Sequence, residues 1–370
     1  MKRTRVVVAG LGDSGLLTAI HLSRHADVVG ISTRPGLVSG KELGTRLTQP
    51  DEWVRDNWIS FDRYRRLDRV RTVHGTLTGV DLDARHVQVT GADGTESVEP
   101  YDVLVISTGV TNGFWRPPGL LSADEVATSL AADHARLASA GSIAVIGGGP
   151  AAVSSALNAA VTWPDAQVDL FFPGDRPLPH YHPRAARTLQ QRLSELGVGV
   201  HPGHRAVVPD GFDCDRITDE PVAWSTGQPP HTADAVLWTI GRVRPNTEWL
   251  PTSLLDDHGF VAVEPSLRVP GHHGVFAIGD VAATDPLRTS ARNRADKLLA
   301  RNIRAELKGR PLRDYKPRRG QWGSVVGVQP NGLEVFAPNG RAYRFPAWTI
   351  RGLLQGLIVR RGIYRGVRDS

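Results

Sequence analysis

The chain has 370 residues and a mass of 40.1 kDa, enough for two or three domains with real cores, and its 40% apolar and 22% charged residues are ordinary for a globular protein. This composition excludes disorder, collagen-like repeats and a disulfide scaffold, and the single cysteine, Cys214, excludes an intrachain disulfide, a CxxC redox pair and a cysteine-based zinc site. The net charge of +6 is uneven: residues 288–370 carry 19 Lys/Arg against 5 Asp/Glu, leaving 25 against 33 in the first 287, and a basic block of this kind suits lipid headgroups, nucleic acid or a solvated surface.

Residues 5–9 are a β-branched run, 10–15 a glycine turn, 16–25 an Ala/Leu-rich helix and 28–31 a second strand. The opening run is too short for a signal-peptide core, so the chain is expected to stay in the cytosol. No run approaches the ~20 apolar residues that span a bilayer. Residues 85–90 and 96–99 flank an Ala92-Asp93-Gly94 turn and read as antiparallel strands. Residues 101–109 form a buried strand ending in Ser-Thr-Gly. The opening pattern then returns at residues 142–152, with a helix over 153–161 and a strand over 168–172; residues 233–241 are the counterpart of 101–109. A third apolar strand, 274–280, ends in Gly-Asp, and a helix over 290–307 leads to a basic connector, 310–319.

The last fifty residues differ in kind. Strands over 322–328, 333–336 and 341–345, separated by two Pro-Asn-Gly turns, predict a three-stranded meander. Residues 347–359 predict an amphipathic helix whose apolar side carries Trp348 and Ile350 and whose rim carries Arg351, Arg360, Arg361, Arg365 and Arg368. Such a helix suits the boundary of an anionic membrane, or docks on the protein's own core or a second subunit. The expected architecture is α/β: two Rossmann-like dinucleotide-binding domains plus a small C-terminal β-meander with an amphipathic helix. The expected boundaries are 1–118 and 242–319 for the first domain, 119–241 for the second and 320–370 for the C-terminal part.

Gly10, Gly12 and Gly15 spell G-x-G-x-x-G between a strand and a helix, where free N–H groups and the helix dipole favour a pyrophosphate. The acidic residue that would hold the adenosine ribose is missing; Ser32, Thr33 and Arg34 stand there, and Ser32 offers a weaker hydroxyl. Asp13 puts a carboxylate close to the pyrophosphate position. The second loop, Gly147 to Ala152, is G-x-G-x-x-A. After its second strand Arg176 suits a 2′-phosphate and Asp175 a ribose, which leaves NADH and NADPH unseparated. His180, His182, His201 and His204 lack the companions of a metal site and read as surface histidines, and the basic tail matches no nucleic-acid module.

The order of glycine loop, Ser-Thr-Gly109, glycine loop, Thr-Ile-Gly241 and Ala-Ile-Gly-Asp280 resembles the two-dinucleotide-binding-domain flavoproteins of the pyridine nucleotide-disulfide oxidoreductase superfamily. Within them the chain looks most like the type II NADH:quinone dehydrogenases and the ferroptosis-suppressor, AIF-like quinone reductases. The resemblance implies FAD in the first domain, held by Gly10, Gly12, Ser14, Gly15, Ser32, Arg46, Leu77, Thr108, Gly109, Gly279 and Asp280. It implies NAD(P)H in the second, at Gly147, Gly149, Ala152, Ser154, Arg176 and Gly241. Relatives carry a glutamate directed at the nicotinamide where this chain has Ser154. The implied chemistry resides on the flavin, with no catalytic protein side chain and no metal, and the implied acceptor is a quinone reached at the inner face of the plasma membrane. A ferredoxin-reductase-like protein and a nucleotide sensor with weak turnover are the alternatives.

Overall fold

The computed structural model describes residues 3–38, 43–115, 119–240, 243–284, 295–316, 322–350 and 360–368. The first stretch runs β1 (Arg5–Ala9), α1 (Asp13–Leu22), β2 (Asp27–Ser32), β3 (Gly36–Val38), α2 (Leu43–Thr48), α3 (Pro50–Asn57), β4 (Trp58–Ser60), β5 (Val70–Asp81), β6 (His86–Gly91), β7 (Glu96–Pro100), β8 (Val103–Ile106) and β9 (Val110–Asn112). The second holds α4 (Ala123–Ala138), β10 (Ser142–Ile146), α5 (Pro150–Thr162), β11 (Gln167–Phe171), α6 (Pro183–Glu195), β12 (Gly199–His201) and β13 (Ala235–Trp238). The chain then returns through β14 (Val243–Pro245), β15 (Val275–Ala277) and α7 (Ala295–Glu306), and ends in β16 (Val328–Gln329), β17 (Gly332–Phe336), β18 (Ala342–Phe345) and α8 (Ala347–Thr349).

Two sheets follow. The larger has the order β15-β8-β1-β2-β5-β6-β7, parallel from β15 to β5 and antiparallel beyond. The smaller, β12-β11-β10-β13, is wholly parallel. Both faces of β1 are buried, which is why it reads as an unbroken apolar run. Val6 and Val8 pack with Leu16 and Ile20 of α1 and Leu299 and Ile303 of α7. Val7 and Ala9 pack on the other face with Val89, Trp249 and Val261. In each sheet the leading strand sits where the order reverses, between β2 and β8 and between β11 and β13. Ligands of open α/β sheets bind outside the strand ends at such points.

The long strand β5 is not expected from the sequence. Gly75, Gly79 and three threonines dilute its apolar alternation, and a bulge at Leu77/Gly79 breaks its register with β6. The meander is present, with one correction. Its first strand is only Val328–Gln329, not residues 322–328. Gly327 at φ +86° turns the chain there, while Val325 and Val326 leave the ladder to enter the core of the second unit. Asn158 of α5, 2% exposed, ties the meander down: its amide donates to the Val326 carbonyl (2.9 Å) and its Oδ1 accepts from Gln329 (2.9 Å).

Residues 351–359 of the expected amphipathic helix, residues 290–294 and Gly241 lie outside the described residues. Residues 360–368 do not stay with the meander but return to the first unit. Val367 bridges Tyr64, and Arg368 pairs with Asp68 (2.9 and 2.6 Å) and donates to the Asp62 carbonyl (2.8 Å). Arg368 is therefore committed within the protein rather than to a lipid-facing rim.

Candidate functional site

A cleft of about 550 Å³ opens at the carboxyl ends of β1, β2 and β8 and against the middle of β5. That volume lies in the range of ligand sites. Its walls include Gly10, Gly12, Ser14, Ser32, Arg46, Leu77, Thr108, Gly109, Gly279 and Asp280. Gly15, expected among them, is not on the wall. A Cβ there would lie 1.9 Å from the Gly10 carbonyl oxygen and 2.6 Å from Ser107 Oγ, so this glycine serves helix-to-strand packing. Gly10, at φ +102°, has the Ser107 backbone where its Cβ would be. Gly12 is different. Its φ of −66° suits any residue, and among the described residues nothing lies within 4 Å of the Cβ position. The fold itself does not demand glycine there. The open space there would suit a pyrophosphate laid across the N-terminus of α1, such as that of FAD.

The second loop repeats the arrangement at the level of single atoms. Ser107 Oγ reaches the carbonyls of Gly10 (2.7 Å) and Ala9 (3.1 Å), and Thr239 Oγ1 donates to that of Ile146 (2.7 Å), each closing the end of the leading strand. Thr239 Oγ1 occupies the Cβ position of Gly147 (2.3 Å) as the Ser107 backbone does that of Gly10. Gly149, at φ −85° and ψ −178°, again has nothing among the described residues within 4 Å of where a Cβ would go. Arg176 is half-buried beside this loop and donates to the Pro179 carbonyl at 3.5 Å.

Two residues expected at the second dinucleotide are elsewhere. Ala152 is fully buried in the core. Ser154, 1% exposed, faces the seam between α2 and α5, where its Oγ accepts from the Gly44 amide (3.3 Å). A Cβ on Gly44 would lie 2.2 Å from the Ser154 carbonyl oxygen, so the two helices touch backbone to backbone. Leu43 and Leu47 of α2 join the core of the second unit. The departure from glutamate at position 154 is therefore a packing feature of this seam.

Arg46 leaves the same helix toward the cleft, with its guanidinium 5.1 Å from the centre of the buried Trp53 ring. Burial, then Arg34, pull it down to about 10, and Asp133 acts against them. Burial pushes Asp133 up to about 6, with Arg46 and Arg136 opposing. The unfolded chain therefore binds fewer protons than the folded one between about pH 4 and 6, and stability falls as pH rises through that window. Asp133→Asn is expected to add about 1 kcal/mol of stability at pH 8, the shift being discounted because the carboxylate is partly exposed and screened by solvent, and nothing at pH 4. Urea unfolding at the two pH values measures this.

Other cleft residues escape sequence reasoning. Asn246, after β14, accepts from Thr111 Oγ1 on its Oδ1 (2.7 Å), donates to the Thr108 carbonyl (3.1 Å) and accepts from Thr108 Oγ1 on its own carbonyl (2.7 Å). The pairing of β14 with β9 brings it there across more than 130 residues, a juxtaposition no local pattern reveals. Leu121, just before α4, and Val126 and Ser129 on it close the cleft, and the start of α4 is fixed by a capping box between Ser122 and Glu125. Among the histidines, His182 caps α6, and His201 and His204 pack on Phe171, with His201 2.6 Å from Asp169. No group of three or more potential ligands among the described residues is placed to hold a metal.

The profile of the pyridine nucleotide-disulphide oxidoreductases matches residues 4–297. The chain is 26% identical to the oxidoreductase ptaL of Pestalotiopsis fici, over 89% of its own length and 84% of the relative's. It is 27% identical to the type II NADH:quinone oxidoreductase Ndh of Mycobacterium tuberculosis, over 85% and 75%. Among solved structures, the sulfide:quinone oxidoreductase of Aquifex aeolicus superposes with a TM-score of 0.73 at 15% identity, over 98% of this chain and 92% of that one. With one cysteine, buried, the chain has no internal dithiol to cycle. It belongs to the pyridine nucleotide-disulphide oxidoreductase family, as an oxidoreductase whose cofactors are FAD and NAD(P)H.

Proposed function

We propose that the protein is an FAD-dependent NAD(P)H dehydrogenase with a quinone-type acceptor. The observation that carries the reading is Gly12, a glycine that neither its backbone angles nor its neighbours among the described residues require, at the start of a helix that begins at the cleft. Bound there, FAD supplies hydride acceptance from NAD(P)H and onward electron donation. The chain's own residues bind and orient. Gly10, Gly12 and Ser14 offer the α1 amides to the pyrophosphate, and Gly15 holds the turn from behind. Ser32 takes the adenosine ribose, the Leu77 backbone the adenine, and Asp280 the ribityl hydroxyls, with Thr108, Gly109 and Gly279 beside them. Gly147 and Gly149 serve NAD(P)H in the same way, with Arg176 within reach of its adenosine end.

Similarity to a type II NADH:quinone oxidoreductase supports the acceptor. So does the surface of the meander, where Trp322, Tyr343 and Phe345 are exposed and Trp348 is 82% exposed, with Arg341 over the Tyr343 ring. Aromatic rings among arginines suit the headgroup layer of an anionic membrane. No helix among the described residues is long and apolar enough to cross one. The purified protein should be yellow, bleach under NADH or NADPH without air, and regain colour faster with a water-soluble quinone than with air alone. Failure to bleach would refute the dehydrogenase; recovery no faster with quinone would refute the acceptor. Trp348→Ala should lower sedimentation with anionic liposomes several-fold.

A further inference from the structure

The carboxylate of Asp13 stands in the first turn of α1 and on the wall of the cleft. In a bare helix that position is favourable, because the carboxylate meets the positive end of the dipole. In a site that must take a pyrophosphate it is a like charge next to the ligand. The return of the chain at residues 360–368 bears directly on it. Tyr364, 8% exposed, donates its hydroxyl to Asp13 Oδ1 at 3.1 Å across 351 residues of sequence. Its ring meets Tyr64 edge-on, with centroids 5.3 Å apart at 77°. The Tyr64 hydroxyl is buried and has no hydrogen-bond partner among the described residues. Burial, then the Asp13 carboxylate, push both phenols well above the ordinary tyrosine range, so both remain donors at any working pH.

The fastening of this segment is specific. Arg65 donates its amide to the Gly366 carbonyl (3.1 Å), Arg63 its guanidinium to the Arg368 carbonyl (3.0 Å), and Arg368 grips Asp68. Tyr364 itself belongs to the same core as Leu16 and Val8. The tail thus delivers one hydroxyl to one carboxylate at the mouth of the glycine loop.

We infer that Tyr364 is a positioning residue for the dinucleotide cleft: its hydroxyl occupies and draws back the Asp13 carboxylate, so that an anionic pyrophosphate can lie over the α1 amides. This rests on the reading of the cleft as the FAD site. Without the hydroxyl, Asp13 competes with the phosphates for the same helix end.

The test is a double-mutant cycle on full-length apoprotein, titrated with FAD and followed by quenching of flavin fluorescence. Y364F should weaken FAD binding about tenfold or more, the scale of a hydrogen bond to a charged group. In a D13N background the same change should cost less than twofold, because the competing charge is gone. A purely structural role would give an equal loss in both backgrounds and would overturn the inference. So would Y364F binding FAD as tightly as the wild type. Wild-type apoprotein that takes up no FAD would instead refute the assignment of the cleft itself. The apoprotein melting temperature of Y364F, measured alongside, should lie within a few degrees of the wild type; a loss of FAD that merely tracks a large drop in melting would also overturn it.

Discussion

Replacing Gly12 by serine is expected to give a colourless protein that is as stable, before cofactor is added, as the wild-type apoprotein. Serine is at least as good an N-cap as glycine, the backbone angles at this position are open to it, and no atom of the described residues lies within 4 Å of the new Cβ. The whole cost then falls on the ligand. A hydroxymethyl group standing where the pyrophosphate must approach should weaken FAD by at least ~100-fold, about 2.8 kcal/mol. Gly15→Ala should do the reverse. Its methyl would meet the Gly10 carbonyl oxygen at 1.9 Å and Ser107 Oγ at 2.6 Å, so the turn itself must shift. A loss of ~3 kcal/mol or more in apoprotein stability follows, at the upper end of overpacked sites. Flavin content per polypeptide, with urea unfolding of the apoproteins, separates a glycine required by the ligand from one required by the fold. Retention of full flavin content by Gly12→Ser would contradict the cleft assignment.

These two glycines also mark what sequence can reveal. The G-x-G-x-x-G spacing announces a strand, a turn and a helix, and the repeat near residue 147 announces a second such unit; both are present, with matching hydroxyls from Ser107 and Thr239. Spacing does not say which glycine faces a ligand and which faces protein. That depends on what the neighbouring strand places opposite, and Ser107 is over ninety residues from Gly15 in the chain. Strand β5 was hidden because its residues alternate weakly and its register is bulged, although Leu77 on it reaches the cleft. Asn246 was hidden because the pairing of β9 with β14 closes a very long loop. The tail conceals its role in a different way. Its arginines look like a uniform basic rim, yet Arg368 pairs with Asp68, and Tyr364 is part of a core laid down at the other end of the chain.

Ser154 is the position where physical context most changes the meaning of a residue. The resemblance to the two-dinucleotide-binding-domain flavoproteins implies a glutamate here, which Ser154→Glu would supply. The packing predicts the opposite result. Ser154 is 1% exposed, its hydroxyl accepts from the Gly44 amide, and its carbonyl is the atom on which α2 rests. A glutamate placed there would carry a carboxylate into a seam where two backbones touch, with Asn158 already committed to Val326 and Gln329. Either the carboxylate is buried without a partner, or α2 is pushed off α5. Both outcomes cost ~3 kcal/mol or more. Because burial raises the folded-state pKa of the new carboxyl above its unfolded value, the penalty is smallest in acid. It should grow as pH rises from about 4 toward the raised value. Displacing α2 also moves Arg46, two residues beyond Gly44 and on the wall of the cleft, so flavin content should fall together with stability. Ser154→Ala, which loses two long hydrogen bonds, from the Gly44 amide (3.3 Å) and from Asn158 (3.5 Å), and adds no volume, should cost ~1 kcal/mol and leave flavin content unchanged. Thermal unfolding of the two variants at pH 5 and pH 8, with flavin counted in each, tests this. A Ser154→Glu protein that is as stable as the wild type and oxidises NADH faster would mean that α2 and α5 part in solution, and that the seam opens toward the nicotinamide.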